Sequence, residues 1–217
     1  MRPSRLSALA KGSIRARINS GEITAGKIYS VPSLAETLGV SVTPVREAML
    51  DLVAEGLIEA VPNRGFRVIE PTPRDLDEIF ELRLMLEVPA TAALAAKPSD
   101  ALDIEAHLRR AEAIEHHAGA GDTAGFLQAD REFHLSIVGA SGNQRLVELV
   151  SRLRDQARLY GVEQLARLGR LEASAREHRD IVEGIRRGDV DGVTELVIRH
   201  LRHTRGIWAG VSESPTA

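Results

Sequence analysis

The chain contains no cysteine, which excludes disulfides and any metal site built on thiolates. Aromatic residues are also scarce, at 3% of 217 residues, so a core has to be assembled from Leu, Ala, Val and Ile, a composition that favours helices over a β-sandwich. No apolar run approaches the roughly 18 residues needed to span a bilayer. The opening MRPSRLSALAKGSIRARI lacks the continuous apolar stretch of a secretion signal. A cytoplasmic protein without a membrane partner is expected. Missing too is the excess of positive charge that marks many nucleic-acid binders, since the net charge is −3. The deficit is uneven: Met1 to Glu70 carries 9 Lys+Arg against 7 Asp+Glu, and the remainder carries 19 against 24. A weakly basic amino-terminal part can still engage phosphates locally, while an acidic second part limits non-specific attachment. With 43% hydrophobic residues there is enough apolar side chain for packed cores, and the length suits two domains.

What the chain does have is concentrated first in Leu34 to Val68, LAETLGVSVTPVREAMLDLVAEGLIEAVPNRGFRV. Leu34, Ala35 and Leu38 share one face of a short helix, and Gly39 supplies the positive φ of its C-terminus. After the turn Gly39-Val40-Ser41, a second helix is predicted to start at the hydroxyls of Ser41 and Thr43 with Pro44 in its first turn. Val45, Ala48, Met49, Leu52 and Val53 should face a small core, and Arg46, Glu47 and Leu50 lie on other azimuths. Gly56 stops the helix. Leu57–Val61 and Phe66–Ile69 then flank Pro62-Asn63-Arg64-Gly65 in a strand, turn, strand pattern. That order is a winged helix-turn-helix. Arg46 sits near the N-terminal end of the recognition helix, where side chains reach base edges or phosphates, so it is the first DNA-contact candidate. Its competing role is a surface ion pair with Glu47 or Asp51, which would stabilise little. Thr43, and Asn63, Arg64 and Arg67 on the wing, complete the candidate DNA-binding set, the wing lying on the phosphate backbone.

The stretches LGVS, TPVREA, EGLI and NRGF occur in the order and spacing of the GntR family of bacterial transcription regulators, which this segment resembles. One departure is Val42, where many members carry arginine; it shifts the expected base reading onto Thr43, Arg46 and the wing.

Pro71-Thr72-Pro73 marks a domain boundary: Thr72 can cap a new helix with Pro73 at its first position and Asp75 three residues on. A long helical pattern runs from there to Lys97-Pro98, and Pro89 should kink it. Further helices are predicted at about Ser99–Ala118, Asp122–Ala140, Asn143–Leu168, Leu171–Arg187 and Val190–Ala209, punctuated by glycine-bearing breaks. The fold expected is mostly α: a winged helix-turn-helix over 1–71, then an all-α antiparallel helical bundle over 72–210, with 211–217 a disordered tail.

Within the bundle, Asp130 and His134 are four residues apart and share a helix face, so both can bind one ion. His178 and His200 come from the last two helices, and bundle cores assemble metal sites from several helices in this way. Three imidazoles and a carboxylate suit a divalent transition metal, zinc foremost, with nickel, manganese, iron or cobalt as options. The apolar neighbours Phe133, Ile137, Ile181, Val197 and Leu201 aim these residues at a core, where a neutral imidazole needs a partner. On the solvated-face alternative the Asp-His pair would be a surface salt bridge. His107, His116 and His117, in a charged helix, are read as surface residues, and His203 as a less fitting ligand than His200.

The same stretch resembles the FCD effector domain of the FadR-like GntR branch, with Asp130 to His134 matching Asp-x-x-Phe-His, Ser141 to Asn143 matching Ser-Gly-Asn, then Glu177-His178 and His200-Leu201. The resemblance covers Leu34 to about Ile207 and implies the metal set Asp130, His134, His178 and His200. It also implies that Arg83, in an otherwise apolar helix, faces an effector cavity, where its guanidinium would clamp a carboxylate. A helix pair with Glu87, worth only about 0.2–0.5 kcal/mol, is the alternative.

The function expected is therefore a transcription regulator, a homodimer on a two-fold operator in double-stranded DNA, responding to a small carboxylate effector at a metal site. A metal-ion sensor is the second reading. A helical metallohydrolase is the third and is disfavoured because no His-Glu-x-x-His and no general base stands beside the proposed ligands.

Overall fold

A computed structural model describes residues 5–98, 102–157 and 169–208. The chain divides into two compact units, 1–71 and 72–217.

The first unit contains α1 (Arg5–Asn19), β1 (Ile28–Tyr29), α2 (Val31–Leu38), α3 (Val42–Ala54), β2 (Ile58–Val61) and β3 (Gly65–Val68). Helix α2 begins where the Ser30 hydroxyl accepts the Ser33 N–H at 3.2 Å and ends at Gly39 with φ +64°. Helix α3 departs from expectation at its start. Ser41 occupies the N-cap with extended backbone, but neither it nor Thr43 supplies a capping hydroxyl. Val45, Ala48, Met49 and Leu52 are buried as their spacing predicts, with Val53 partly so.

The sheet order is β1-β3-β2, all antiparallel, with Tyr29 opposite Phe66 and Ile58 opposite Val68. Phe66 and Val68 point inward and Arg67 outward, as strand alternation requires. Gly65 makes the close approach of β1 possible. Its φ is +128°, and a Cβ there would lie 2.2 Å from the Tyr29 carbonyl oxygen.

Helix α1 and strand β1 were not foreseen. Ala10, Ile14 and Ile18 recur every four residues, are buried, and pack α1 against α3. Lys11 Nζ lies 2.7 Å from Glu55 Oε1 at the end of α3, and Arg15 pairs with the same carboxylate. Partial burial opposes ionisation of Glu55, yet Lys11 and Arg15 hold its carboxyl below the usual range.

The second unit contains six helices among the described residues: α4 (Pro73–Ala95), α5 (Ile104–Gly119), α6 (Thr123–Gly139), α7 (Gln144–Ala157), α8 (Leu171–Arg187) and α9 (Val190–Trp208). Helix α4 opens with the predicted capping box, Thr72 Oγ1 accepting the Asp75 N–H at 3.2 Å and Asp75 accepting the Thr72 N–H at 2.8 Å. It continues through Pro89. Helix α5 starts at Ile104, not near Ser99, because the Asp103 side chain caps it by accepting the Ala106 N–H. The expected end of α7 between 158 and 168, and the tail 211–217, lie outside the described residues.

Helix α9 packs on α4 and α8, α5 on α6 and α8, and α7 on α4 and α6. The core is aliphatic, as the composition demands, with Leu94, Ile114, Ile137, Ile181, Ile185 and Leu201 all almost fully buried. Phe133 is fully buried in it, alongside Phe80 and Phe126. Its ring meets His134 and His178 edge to face, with centroids at 5.2 and 4.9 Å, which fixes both imidazoles from one side.

Candidate functional site

In the winged unit, the start of α3 and the wing turn are exposed. Thr43 and Arg46 lie in the first turns of α3 with outward side chains, beside Val42. Asn63 and Arg64 form the wing turn, Asn63 in the left-handed region at φ +58°. Arg67 differs: its Nε donates to Glu59 Oε1 at 2.7 Å across β2 and β3, so a phosphate must compete with a carboxylate for it.

In the helical unit, α6, α8 and α9 bring Asp130, His134, His178 and His200 together, one ligand atom from each lying within 4.8 Å of all the others. His134 Nε2 is 3.1 Å from His200 Nε2 and 3.2 Å from His178 Nε2. Asp130 Oδ1 is 3.1 Å from His178 Nε2 and 3.6 Å from His134 Nε2. The three imidazoles are buried, and Asp130 is partly so.

The far ring nitrogens decide what this convergence means. His178 Nδ1 faces the Ser174 and Ala175 carbonyl oxygens at 3.1 and 3.2 Å; a carbonyl only accepts, so Nδ1 carries the proton. His200 Nδ1 donates to Glu177 Oε2 at 2.8 Å, and His134 Nδ1 faces Glu87 Oε2 at 3.6 Å. Burial, with the charge of Arg154 next, pushes His134 well below the usual histidine range; burial and His178 lower His200. A neutral imidazole that donates through Nδ1 presents only a lone pair at Nε2. Such lone pairs and an ionised carboxylate oxygen repel one another unless an electrophile sits between them. With a metal–nitrogen bond of about 2.1 Å, donors are about 3.0 Å apart at a right angle and about 3.4 Å apart at the tetrahedral angle, a range that contains the 3.1, 3.2 and 3.1 Å spacings, while the 3.6 Å between Asp130 Oδ1 and His134 Nε2 is somewhat wider. The donor set therefore fits a borderline divalent ion, and the acceptors behind Nδ1 of His178 and His200 have the placement that orients ligating histidines.

Asp130 keeps its charge for a second reason. Burial raises its pKa, but the facing His134 and His178 rings and the charge of Arg154 outweigh this and hold it well below the usual carboxylate range. Arg154 of α7 joins the centre to α4. Its Nη1 donates to Asp130 Oδ2 at 3.2 Å and its Nε to Glu87 Oε2 at 3.0 Å. Arg83 Nε donates to the other oxygen, Glu87 Oε1, at 2.7 Å. Arg83, Glu87 and Arg154 are buried, and although burial disfavours its charge, Arg154 and Arg83 hold Glu87 at about 2. The Arg83–Glu87 helix pair, weighed as the alternative to an effector contact, is formed and is the interior end of a buried charge chain.

Arg154 was missed because a charged residue in the amphipathic pattern of α7 reads as solvated. Glu177 adjoins His178 in the quoted Glu-His pair, but its contacts with His200 and with His203 Nδ1 at 2.7 Å have no sequence signal. His203 is not among the four converging residues. His107 is corrected: it is 7% exposed and contacts Ser136 Oγ at 3.1 Å, because its azimuth on α5 faces α6 despite charged neighbours. His116 is exposed, as expected, and His117 is half-buried against Asp122.

Comparison with known proteins agrees with both halves. Residues 6–68 match the description of bacterial regulatory proteins of the gntR family, and residues 78–203 match the FCD domain. The chain is 29% identical over 192 residues to the HTH-type transcriptional regulator YdhC of Bacillus subtilis, covering 88% of this chain and 85% of that one. It is 30% identical over 191 residues to the probable D-xylose utilization operon transcriptional repressor of Paenarthrobacter nicotinovorans, covering 85% and 80%. The solved structure of McbR/YncC from E. coli shares the fold, with a TM-score of 0.83 and 24% identity over 95% of this chain and 98% of that one. A DNA-reading winged domain followed by an FCD bundle is the architecture of regulators rather than enzymes, and this chain belongs to the GntR family of bacterial DNA-binding transcription regulators, in the branch with an FCD domain.

Proposed function

We propose that this regulator holds one divalent transition ion on Asp130, His134, His178 and His200, and that a small carboxylate bound beside that ion changes operator affinity. The observation that carries the reading is the convergence of three Nε2 atoms and a carboxylate oxygen, with two of the three Nδ1 atoms donating to acceptors. An ion there acts as a Lewis acid that accepts donor oxygens; zinc suits the set best, and nickel, manganese, iron and cobalt are compatible.

Charge argues for an anionic effector. Arg83 and Arg154 balance Glu87 and Asp130, so an ion held by neutral imidazoles adds positive charge to a buried region, which an anion would neutralise. Arg83 is the residue to meet the far carboxylate oxygen, by rearranging from Glu87. Thr43, Arg46, Asn63, Arg64 and Arg67 form the DNA-contacting set. The working form is a homodimer, because one winged unit reads a short half-site and affinity builds when two engage a two-fold operator. Induction then follows from differential affinity of the effector for two arrangements of the dimer.

Calorimetric titration of small hydroxycarboxylates into metal-loaded protein tests this. Binding should be present in the parent, lost on stripping the metal, and strongly weakened in Arg83→Ala. Equal affinity in Arg83→Ala and parent would remove Arg83 from the site, and binding that survives stripping would remove the ion. The engagement of Arg83 by Glu87 favours a second reading, in which the ion itself is the signal. Operator affinity that follows metal alone, with no response to any carboxylate, would select it.

A further inference from the structure

We infer that Val42 reads the C5-methyl group of a thymine in each operator half-site, which adds a specificity-determining residue to the DNA-contacting set; this rests on the docking of α3 by its N-terminal end proposed above. Among the described residues of the winged unit, the exposed large apolar side chains are Leu6, Leu9, Val42 and Leu50, and the last two belong to α3. Val42 is the first residue of that helix and is 39% exposed. It stands one turn before Arg46, so the two share a face, while Pro44, Val45, Ala48, Met49 and Leu52 are turned to the core. A β-branched residue is a poor starter for a helix, and methyl groups left in water add little to the fold. The first turn carries no acidic residue, and Ser41 makes no side-chain cap bond, so the N–H groups at this end and the Thr43 hydroxyl suit a phosphate. Such contacts fix register without reading sequence, which leaves Val42 and Arg46 to face base edges.

The chemistry of the side chain identifies the base. Valine has no donor or acceptor, so it cannot sort bases by hydrogen bonds. In the major groove guanine, adenine and cytosine present ring nitrogens, carbonyl oxygens or amino groups, whereas thymine alone adds a methyl group. Against the Val42 isopropyl group a methyl exchanges water for apolar contact, while a cytosine amino group would lose a hydrogen bond to water and gain none. Discrimination is therefore attractive towards one base and repulsive towards the others. Leu50, 54% exposed, is about 12 Å farther along the axis, away from the end that enters the groove. Glu47, partly buried on an adjoining azimuth, is repelled by phosphates, which also favours approach by the first turn over approach by the helix flank.

The test uses the full chain and duplex DNA enriched by the parent protein from a randomised pool. Thymine should recur at one fixed position of each half-site; Val42→Ser should relax that position alone, and Val42→Arg should select guanine there, since arginine pairs with guanine O6 and N7. Deoxyuridine, which lacks only that methyl, is then placed at each thymine in turn. At the read position it should weaken the parent on the order of 4-fold per half-site, the factor for removing one methyl from an apolar contact, and should weaken Val42→Ser no further. Leu50→Ala should keep the parent's penalty. Indifference of the parent to deoxyuridine at every position, an equal penalty in Val42→Ser, or loss of the penalty in Leu50→Ala would each overturn the assignment. So would a lower melting temperature in Val42→Ser with base preference unchanged, the outcome if Val42 only covers the edge of the core. In those cases weaker binding by Arg46→Ala leaves the docking of α3 standing, whereas parent-like binding by both Arg46→Ala and Val42→Ser would overturn the docking itself.

Discussion

Replacing Glu87 by Gln probes the buried charge chain without changing its volume. In the parent, Glu87 is 1% exposed and accepts from Arg83 Nε at 2.7 Å and Arg154 Nε at 3.0 Å. Gln leaves two buried guanidinium groups short of a countercharge, a loss of roughly 3–5 kcal/mol for breaking a buried pair from one side. Linkage gives a similar figure. A carboxyl held at about 2 here and at 4.5 in an unfolded chain contributes roughly 3 kcal/mol at neutral pH. For a helical unit of this size, that lowers the melting temperature on the order of 10 °C. The assay is thermal unfolding of metal-stripped protein by far-ultraviolet circular dichroism, so that ion binding does not mask the change. Because the folded pKa is depressed, the contribution is complete above the unfolded value of 4.5 and is lost as pH falls towards about 2. The difference between parent and variant should therefore shrink on acidification across that window. A shift below about 2 °C at neutral pH, or a difference unchanged by acid, would refute the reasoning.

Other predictions concern the winged unit. Arg46→Ala should weaken operator binding by roughly 1–3 kcal/mol, whereas Arg64→Ala should weaken specific and non-specific DNA alike; gel-shift titration at fixed salt checks both, and unchanged affinity in both variants would count against this docking. Gly65→Ala should destabilise the wing, since its Cβ would stand 2.2 Å from a backbone oxygen at φ +128°, and proteolysis between β2 and β3 reads the loosening; parent-like resistance would contradict the close β1–β3 approach.

Much of this molecule is legible in residue order, and the gaps have physical causes. The run from Leu34 to Val68 reads correctly in its elements because a glycine stop, helical spacing and a hairpin turn agree, although the hydroxyl cap expected at the start of α3 is not made. Helix α1 does not announce itself. Its buried positions Ala10, Ile14 and Ile18 are interrupted by Lys11, Arg15 and Arg17, whose charges look like a solvated face until Glu55 is placed beside two of them. Asp130 and His134 stand out because four-residue spacing is local, while the meeting of His178 and His200 with them depends on how α6, α8 and α9 pack. Arg154 and His107 are buried polar residues whose partners, Glu87 and Ser136, are supplied by other helices. Sequence periodicity reports which face a residue is on, not what stands opposite it.

The central claim is that the four converging side chains hold an ion. Elemental analysis of purified protein tests it directly, with the parent expected to carry about one divalent transition ion per chain and His134→Ala and His178→Ala far less, both melting at lower temperature because they lose an ion that binds only the folded state. Equal metal content in the parent and both variants would contradict the account.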